Sequence, residues 1–126
     1  NLKGKNLSGT ILTGTNLTNA ILTEADLTDA VLYIATLTDA NFENAILTGA
    51  VLKAANLANA NFKNANLRIT NFDTANLANA DLSGANLRNA NLTSANLEGA
   101  NLQDAILDNA NLSGANLNCL NHPICN

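Results

Sequence analysis

The stretch Ala80–Asn118 decides the fold, because it repeats one five-residue unit without interruption: ADLSG ANLRN ANLTS ANLEG ANLQD AILDN ANLSG ANLN. Traced back through the chain, the same register places Leu or Phe at every fifth residue from Leu2 to Leu117. Of these 24 positions, 21 are Leu and three are Phe. With this central residue written as i, position i−2 is usually Ala and position i−1 is most often Asn. The exceptions at i−2 are Lys5, Thr10, Thr15 and Thr70.

A period of five residues excludes the common secondary structures as an explanation. An α-helix places apolar residues at a spacing of about 3.6, and a β-strand places them at every second residue. A five-residue unit instead suits a short extended piece followed by a corner, and stacking such units builds a solenoid. All seven glycines fall at i+2, which they share with seven Asn and three Asp. Because these residues tolerate positive φ, position i+2 is predicted to be the corner.

The tandem pattern A-[N/D]-L-x-x resembles the pentapeptide-repeat family over nearly the whole chain, from Asn1 to Asn118. This resemblance implies an all-β fold, a right-handed quadrilateral β-helix with four pentapeptides per coil and about six coils. Residues 1–118 are then the pentapeptide-repeat β-helix, and residues 119–126 are a C-terminal capping tail. The chain begins within a repeat and without an initiator Met, so we expect the natural chain to be longer at this end.

The sequence supports a coil of 20 residues independently of the family. Phe42 and Phe62 are 20 residues apart. The same spacing relates the apolar residues that replace Asn at i−1 in three repeats, namely Ile11, Val31 and Val51. Three pairs of opposite charge also share it: Glu43 with Lys63, Lys53 with Asp73, and Arg88 with Asp108. Opposite charges on neighbouring strands stabilise a sheet modestly.

The tail after Asn118 leaves the register and contains both cysteines, the only His and the only Pro. An even, local pair of cysteines favours a disulfide between Cys119 and Cys125. Two free thiols are a second interpretation. The third is a metal site formed by Cys119, His122 and Cys125, but this spacing gives three ligands and is uncommon for zinc. Leu120 and Ile124 are expected to lie over the end of the last coil.

Several classes of function find no support in the sequence. A single His in the tail provides no Ser-His-Asp set, and the glycines are dispersed by the repeat instead of forming a phosphate-binding loop. A packed rod also offers no large internal pocket. We therefore expect no enzymatic activity, no cofactor and no metal. The net charge of −4 argues against a polybasic surface for nucleic acid, and no apolar run reaches the length of a membrane span.

The leading functional hypothesis is a rigid, non-enzymatic scaffold or protein-interaction module. Its protein partner is unknown, and we expect a monomer in preference to a dimer. Members of the family are abundant in cyanobacteria and plastid lumens. A disulfide favours an oxidising compartment, the periplasm or thylakoid lumen, with the cytoplasm as the alternative. The runner-up is DNA mimicry, since some relatives inhibit DNA gyrase as acidic dimers. Such a mimic needs a continuous negative stripe, whereas the ten acids here are scattered over all four predicted sides.

One apolar patch can be assembled on the predicted surface. Under a 20-residue coil, Ile11, Val31, Tyr33, Ile34 and Val51 share one side of the rod. Two interpretations remain open, since β-branched residues suit a pleated surface, while an apolar surface patch also suits docking of a partner. A weaker hypothesis is an anion site at Arg68 and Arg88, for which solvated surface charge is the simpler explanation.

Overall fold

A computed structural model describes all residues from 1 to 126, and it contains no helix and no strand longer than a single bridge residue. The chain is held instead by 20 isolated parallel β-bridges. All but one of them join residues that are 20 positions apart, and the exception joins Asn101 to Leu120. The backbone therefore returns beside itself after each 20-residue coil, so the fold is a β-helical solenoid.

The bridges form four columns, and each column marks one side of the solenoid. Every bridge residue occupies position i−1 of its pentapeptide, apart from Leu120. We name the sides by their first bridged residue. The Asn6 side carries Asn6, Asp26, Ile46, Asn66, Asn86 and Ile106. The Ile11 side carries Ile11, Val31, Val51, Asn71, Asn91 and Asn111. The Asn16 side carries Asn16, Thr36, Asn56, Asn76, Asn96 and Asn116. The Ile21 side carries Ile21, Asn41, Asn61, Asp81, Asn101 and Leu120.

The corners lie where the glycine pattern predicted them. In each corner the carbonyl of the central residue accepts the N–H of the residue three positions later, as in Ala25 N to Leu22 O at 3.1 Å. The residue at i+2 has a positive φ in these corners, from 52° at Ile34 to 72° at Gly49. A β-turn with positive φ at its third residue requires Gly, Asn or a residue that accepts some strain. The turn chemistry therefore repeats every five residues.

The core is a narrow column of Leu and Ala. From Leu22 to Ala105 the central residues and their i−2 partners are buried. Phe42 and Phe62 stack in successive coils with ring centroids 4.7 Å apart and nearly parallel planes, while Phe72 meets Phe62 edge-on at 6.0 Å. Thr70, the one fully buried polar residue, donates its hydroxyl to the carbonyl of Leu47 at 2.8 Å, so its polarity is satisfied inside the core.

Asn at i−1 has two local tasks that explain its frequency. The side-chain oxygen of Asn76 accepts the backbone N–H of Ala78 at 3.2 Å, which stabilises the approach to the corner. The side-chain amide of Asn76 donates to the oxygen of Asn56 in the preceding coil at 3.2 Å. Asn96 and Asn116 continue this ladder at 3.2 and 3.0 Å. These Asn side chains therefore stabilise both their own pentapeptide and its contact with the preceding coil, which explains their frequency without any ligand.

The N-terminal coil is packed on one side only. Its central residues, Leu2, Leu7, Leu12 and Leu17, contact the core but are only partly buried. Lys5 occupies the register position of an inward Ala and is exposed, which agrees with the expectation that a charged amine does not enter a dry core. Its carbonyl still accepts the N–H of Asp26 at 3.0 Å, so the 20-residue register extends to this end.

Candidate interaction surface

The five residues of the predicted apolar patch lie on the Ile11 side. Ile11 forms a parallel bridge with Val31, and Val31 forms one with Val51, so these three side chains stand in successive coils. Ile11 is 79% exposed, Ile34 is 50% exposed and Tyr33 is 42% exposed, while the two valines are half-buried. The patch is therefore a continuous apolar strip that lies open to solvent.

The Ile11 side becomes polar further along the solenoid, and its charges cancel. Asn71, Asn91 and Asn111 continue the bridge column. The amine of Lys53 contacts the carboxylate of Asp73 at 2.9 Å. This hydrogen bond and the attraction between the opposite charges raise the pKa of Lys53 above its usual value. The side consequently has apolar bridge residues in its first three coils and Asn in the last three, and the Lys53–Asp73 ion pair lies where the two halves meet.

Two exposed isoleucines outside the predicted patch border the same region. Ile69 is 56% exposed at the corner that leads from the Asn6 side to the Ile11 side, and Ile46 is 42% exposed on the Asn6 side. The repeat register places Ile69 at position i+2, a predicted corner, but Ile69 is not part of the patch predicted from the sequence. The signal was present, because Asn71 follows Ile69 by two residues and lies 20 residues after Val51.

Both corners of the Ile11 side carry an isoleucine in the left-handed backbone conformation. Ile34 has φ 52° at the trailing corner, and Ile69 has φ 60° at the leading corner. A β-branched residue at positive φ is a conformational outlier, because its Cβ substituents crowd the backbone. Most other corners have Gly, Asn or Asp at this position, and these residues adopt positive φ more readily.

Arg68 and Arg88 occupy the same column on the Asn6 side but have different surroundings. The Arg88 side chain donates from Nε to the carboxylate of Asp108 at 3.0 Å, as the spacing of the charges predicted. Arg68 has no acidic group within 4.0 Å. Of the other predicted pairs, Lys53 with Asp73 forms, whereas Glu43 with Lys63 does not. The two arginines therefore do not act as a symmetric pair.

The structure offers no enclosed site for chemistry. It contains no pocket, and no group of three or more His, Cys, Asp or Glu side chains is placed to hold a metal ion. The ring Nδ1 of His122 accepts the backbone N–H of Ile124 at 3.3 Å, so this nitrogen forms a hydrogen bond within the tail. The chain also contains no apolar helix of membrane-spanning length.

Comparison with known families agrees with the repeat and with the coil geometry. A family model described as a pentapeptide repeat region matches residues 35–112, which is more than half of the chain. A second model, described as eight copies of the pentapeptide repeat, matches residues 1–33. The chain is a pentapeptide-repeat protein. No curated protein sequence matches it.

Solved structures of other pentapeptide-repeat proteins share the fold. One from the thylakoid lumen of Arabidopsis thaliana is 33% identical with a TM-score of 0.79, and the alignment covers 82% of this chain and 72% of that one. One from Nostoc PCC 7120 is 42% identical with a TM-score of 0.53, covering 68% of this chain and 63% of that one. QnrB1, a plasmid-mediated fluoroquinolone resistance protein, is 20% identical with a TM-score of 0.52 over 90% of this chain and 75% of its own. At that identity QnrB1 shows the fold alone.

In this pentapeptide-repeat protein, Cys119 and Cys125 form a disulfide, and no cysteine is free. The disulfide excludes the free-thiol and metal-site interpretations in this structure. Cys119 is buried one residue earlier than the repeat would place an inward Ala, which explains why Leu120 bridges Asn101 across 19 positions. Ile124 packs against the core as expected, whereas Leu120 is 51% exposed.

The acid stability of the solenoid is expected to depend in part on Asp26. The hydroxyl and the backbone N–H of Thr28 both donate to its carboxylate, at 2.6 and 2.9 Å, and these hydrogen bonds lower the pKa of Asp26 below its usual range. A depressed pKa contributes stability above the unfolded pKa, and this contribution is lost as the pH falls through the folded pKa. We expect Asp26→Asn, which retains an acceptor oxygen, to lose less stability between pH 4 and about pH 2 than the parent.

Urea unfolding at several pH values measures this difference. Asp104→Asn is the control, because Asp104 makes no side-chain hydrogen bond and its replacement leaves the Thr28 contacts unchanged. Parallel pH profiles for Asp26→Asn and the parent would contradict the prediction.

Proposed function

We propose that the protein is a rigid, non-enzymatic interaction module that binds a protein partner through the Ile11 side. In this proposal the solenoid is right-handed and four-sided with about six coils, and it acts as a monomer. The observation that carries the proposal is the strip of Ile11, Val31 and Val51, together with Tyr33 and Ile34, because these five apolar residues share one side of the rod and three of them stand in successive coils. An apolar strip bordered by polar residues is typical of a binding surface.

The architecture supports a rigid display surface. Each coil is bonded to the next by backbone bridges and, on three of the sides, by hydrogen bonds between Asn side chains in successive coils. The core is built of Leu and Ala with three Phe, and no pocket opens into it. Such a rod presents its side chains at fixed intervals of roughly 4.8 Å along the axis. Binding then needs little ordering of the surface, which favours affinity for a given contact area.

We propose an oxidising compartment, the periplasm or a thylakoid lumen, as the location. The Cys119–Cys125 disulfide supports this choice, because structural disulfides persist in oxidising compartments and are rare in the cytoplasm. The similar Arabidopsis thaliana structure comes from a thylakoid lumen. A cytoplasmic location is the alternative.

DNA mimicry is the less favoured alternative function. A mimic requires acids in a continuous stripe, which attract a DNA-binding protein through their summed field. Here acidic residues occur on all four sides, and Asp73 and Asp108 are neutralised by Lys53 and Arg88. The pairing reduces the acidic field on the two sides that carry these residues.

Replacing the apolar strip tests the proposed function. We expect a triple variant, Val31→Asn, Val51→Asn and Tyr33→Ser, to lose a cross-linked partner from native cell extract while its fold is retained, because Asn is the commonest residue at i−1. Partner loss is measured by quantitative cross-linking mass spectrometry with cross-links mapped to residues. Light scattering on the same samples reports whether the oligomeric state changes.

The matched control is Ile21→Asn with Ile106→Asn, which makes the same kind of replacement at i−1 on two other sides. We expect the control to retain the partner. Equal cross-linking for the parent, the triple variant and the control would mean that the apolar strip is not an interaction surface.

A further inference from the structure

We infer that the binding surface turns the leading corner of the Ile11 side to include Ile69 and Arg68, and that its partner presents a carboxylate beside apolar side chains. The inference rests on the proposed function and specifies its partner. It depends on three observations: the continuity of the corner, the conformation of two isoleucines, and one unneutralised guanidinium.

The backbone connects the end of the apolar strip to Ile69 and Arg68 through one well-bonded corner. Asn71 forms a parallel bridge with Val51 and donates its N–H to Ala50 O at 2.9 Å. Thr70 points inward, where its hydroxyl bond to the carbonyl of Leu47 fixes the corner to the coil before it. Ile69 therefore stands at the edge between the two sides, one coil beyond the strip. Arg68 lies immediately before it, and its carbonyl accepts Gly49 N at 3.0 Å.

The two isoleucines at the corners of the Ile11 side are placed against their local preference. Gly, Asn or Asp occupies 17 of the 23 positions at i+2 where the backbone is left-handed. Ile34 and Ile69 are strained in this conformation, yet they are 50% and 56% exposed, so packing within the chain does not fully compensate them. Backbone strain retained at an exposed position points toward a function for the side chain.

The unpaired positive charge of Arg68 favours a partner that carries a carboxylate. Lys3, Lys53 and Arg88 are each paired with an acid of the chain. Arg68 is not, although it stands next to Ile69 in a protein of net charge −4. Asp29 occupies the equivalent corner position two coils before Ile69. Its carboxylate lies beside Gly49 and forms no ion pair with Arg68. A planar guanidinium binds carboxylates with paired hydrogen bonds, and the apolar strip beside it binds apolar side chains.

A phage-displayed library of random dodecapeptides, selected against the immobilised full chain, tests the inference. We expect the enriched peptides to contain Asp or Glu beside apolar residues. Fluorescence anisotropy with the best synthetic peptide should show at least tenfold weaker binding to Arg68→Gln. Ile34→Asn and Ile69→Asn should also weaken binding, and both should raise the midpoint of thermal unfolding because Asn tolerates positive φ. A purely structural role does not predict these opposite effects.

Lys63→Gln is the matched control, because Lys63 is also unpaired but belongs to the Ile21 side, and it should bind as the parent does. Failure to enrich any peptide, enrichment without acids, or equal binding by Arg68→Gln would overturn the inference. If Arg68→Gln binds normally while the triple variant of Val31, Val51 and Tyr33 does not, the proposed function stands and only its extension to Arg68 fails. Equal binding by both variants contradicts both proposals.

Discussion

Ala80→Phe is expected to lower the free energy of unfolding by about 3 kcal/mol, at the upper end of the usual cost of overpacking a core. Ala80 is fully buried, and its carbonyl accepts Asn101 N at 2.9 Å, so the backbone cannot withdraw without losing a bond between coils. The same inward column holds Ala60 and Ala100, which are buried in the adjacent coils. Urea unfolding followed by circular dichroism measures the loss.

Ala78→Phe makes the same replacement two residues earlier, at the partly exposed position i+1. We expect this control to change the free energy of unfolding by less than about 1 kcal/mol, because a surface side chain can extend into solvent. Equal losses for the two variants would show that the inward and outward positions of the pentapeptide are assigned wrongly.

Removing the disulfide is the second large change. We expect Cys119→Ala with Cys125→Ser to lower the free energy of unfolding by roughly 2 kcal/mol, the chain-entropy contribution of a seven-residue loop. Ala is the repeat's own residue at the inward position that Cys119 fills, so the substitution itself introduces no unfamiliar side chain. The loss should be local, with faster hydrogen exchange at Leu120 and Asn126, whose N–H groups bond Ala100 O and Leu117 O.

Intact mass before and after alkylation, without reductant, reports the bond directly. No mass increase is expected for the parent protein. Two alkylated thiols would contradict the disulfide and remove its support for an oxidising compartment. Unchanged hydrogen exchange between Leu22 and Ala60 serves as the internal control, because these residues lie coils away from the tail.

The coil length was predictable because the repeat leaves marks at 20-residue spacing. Phe42 and Phe62, equivalent residues in the sequence, stack in the structure. Lys53 with Asp73 and Arg88 with Asp108 follow the same rule. Glu43 with Lys63 does not, since long exposed side chains have alternatives in solvent and gain little from pairing. Backbone register is thus predicted more securely than surface ion pairs.

The corner at residue 70 shows what a sequence pattern leaves out. From the sequence alone, Thr in place of Ala at the inward position 70 suggests a local repacking or a slight kink. The bridge column instead runs from Val51 through Asn71 to Asn91 without interruption, because the Thr70 hydroxyl finds the carbonyl of Leu47. A pattern gives the position of a residue but not its hydrogen-bond partner. The link from Ile69 to the apolar strip is different, because the 20-residue spacing of Val51 and Asn71 already indicates it in the sequence.

The tail lay beyond the repeat and could be predicted only in part. The two cysteines indicated the disulfide, but the early inward turn at Cys119 has no precedent within the repeat. Asn121 nevertheless donates its side-chain amide to Asn101 at 2.9 Å, as an Asn of the repeat would. We propose that residues 119–126 cap the solenoid, because Ile124 and Cys125 pack against the core.

The asparagine ladder has a direction, and that direction has a consequence for biosynthesis. In every step of the ladder from Asn56 to Asn116, the later residue donates its amide hydrogen to the earlier one. The ribosome delivers the earlier coils first, so the acceptors are in place before their donors leave the exit tunnel. Each nascent coil can then be bonded to a finished template, one coil at a time, because a solenoid coil needs only its immediate neighbour.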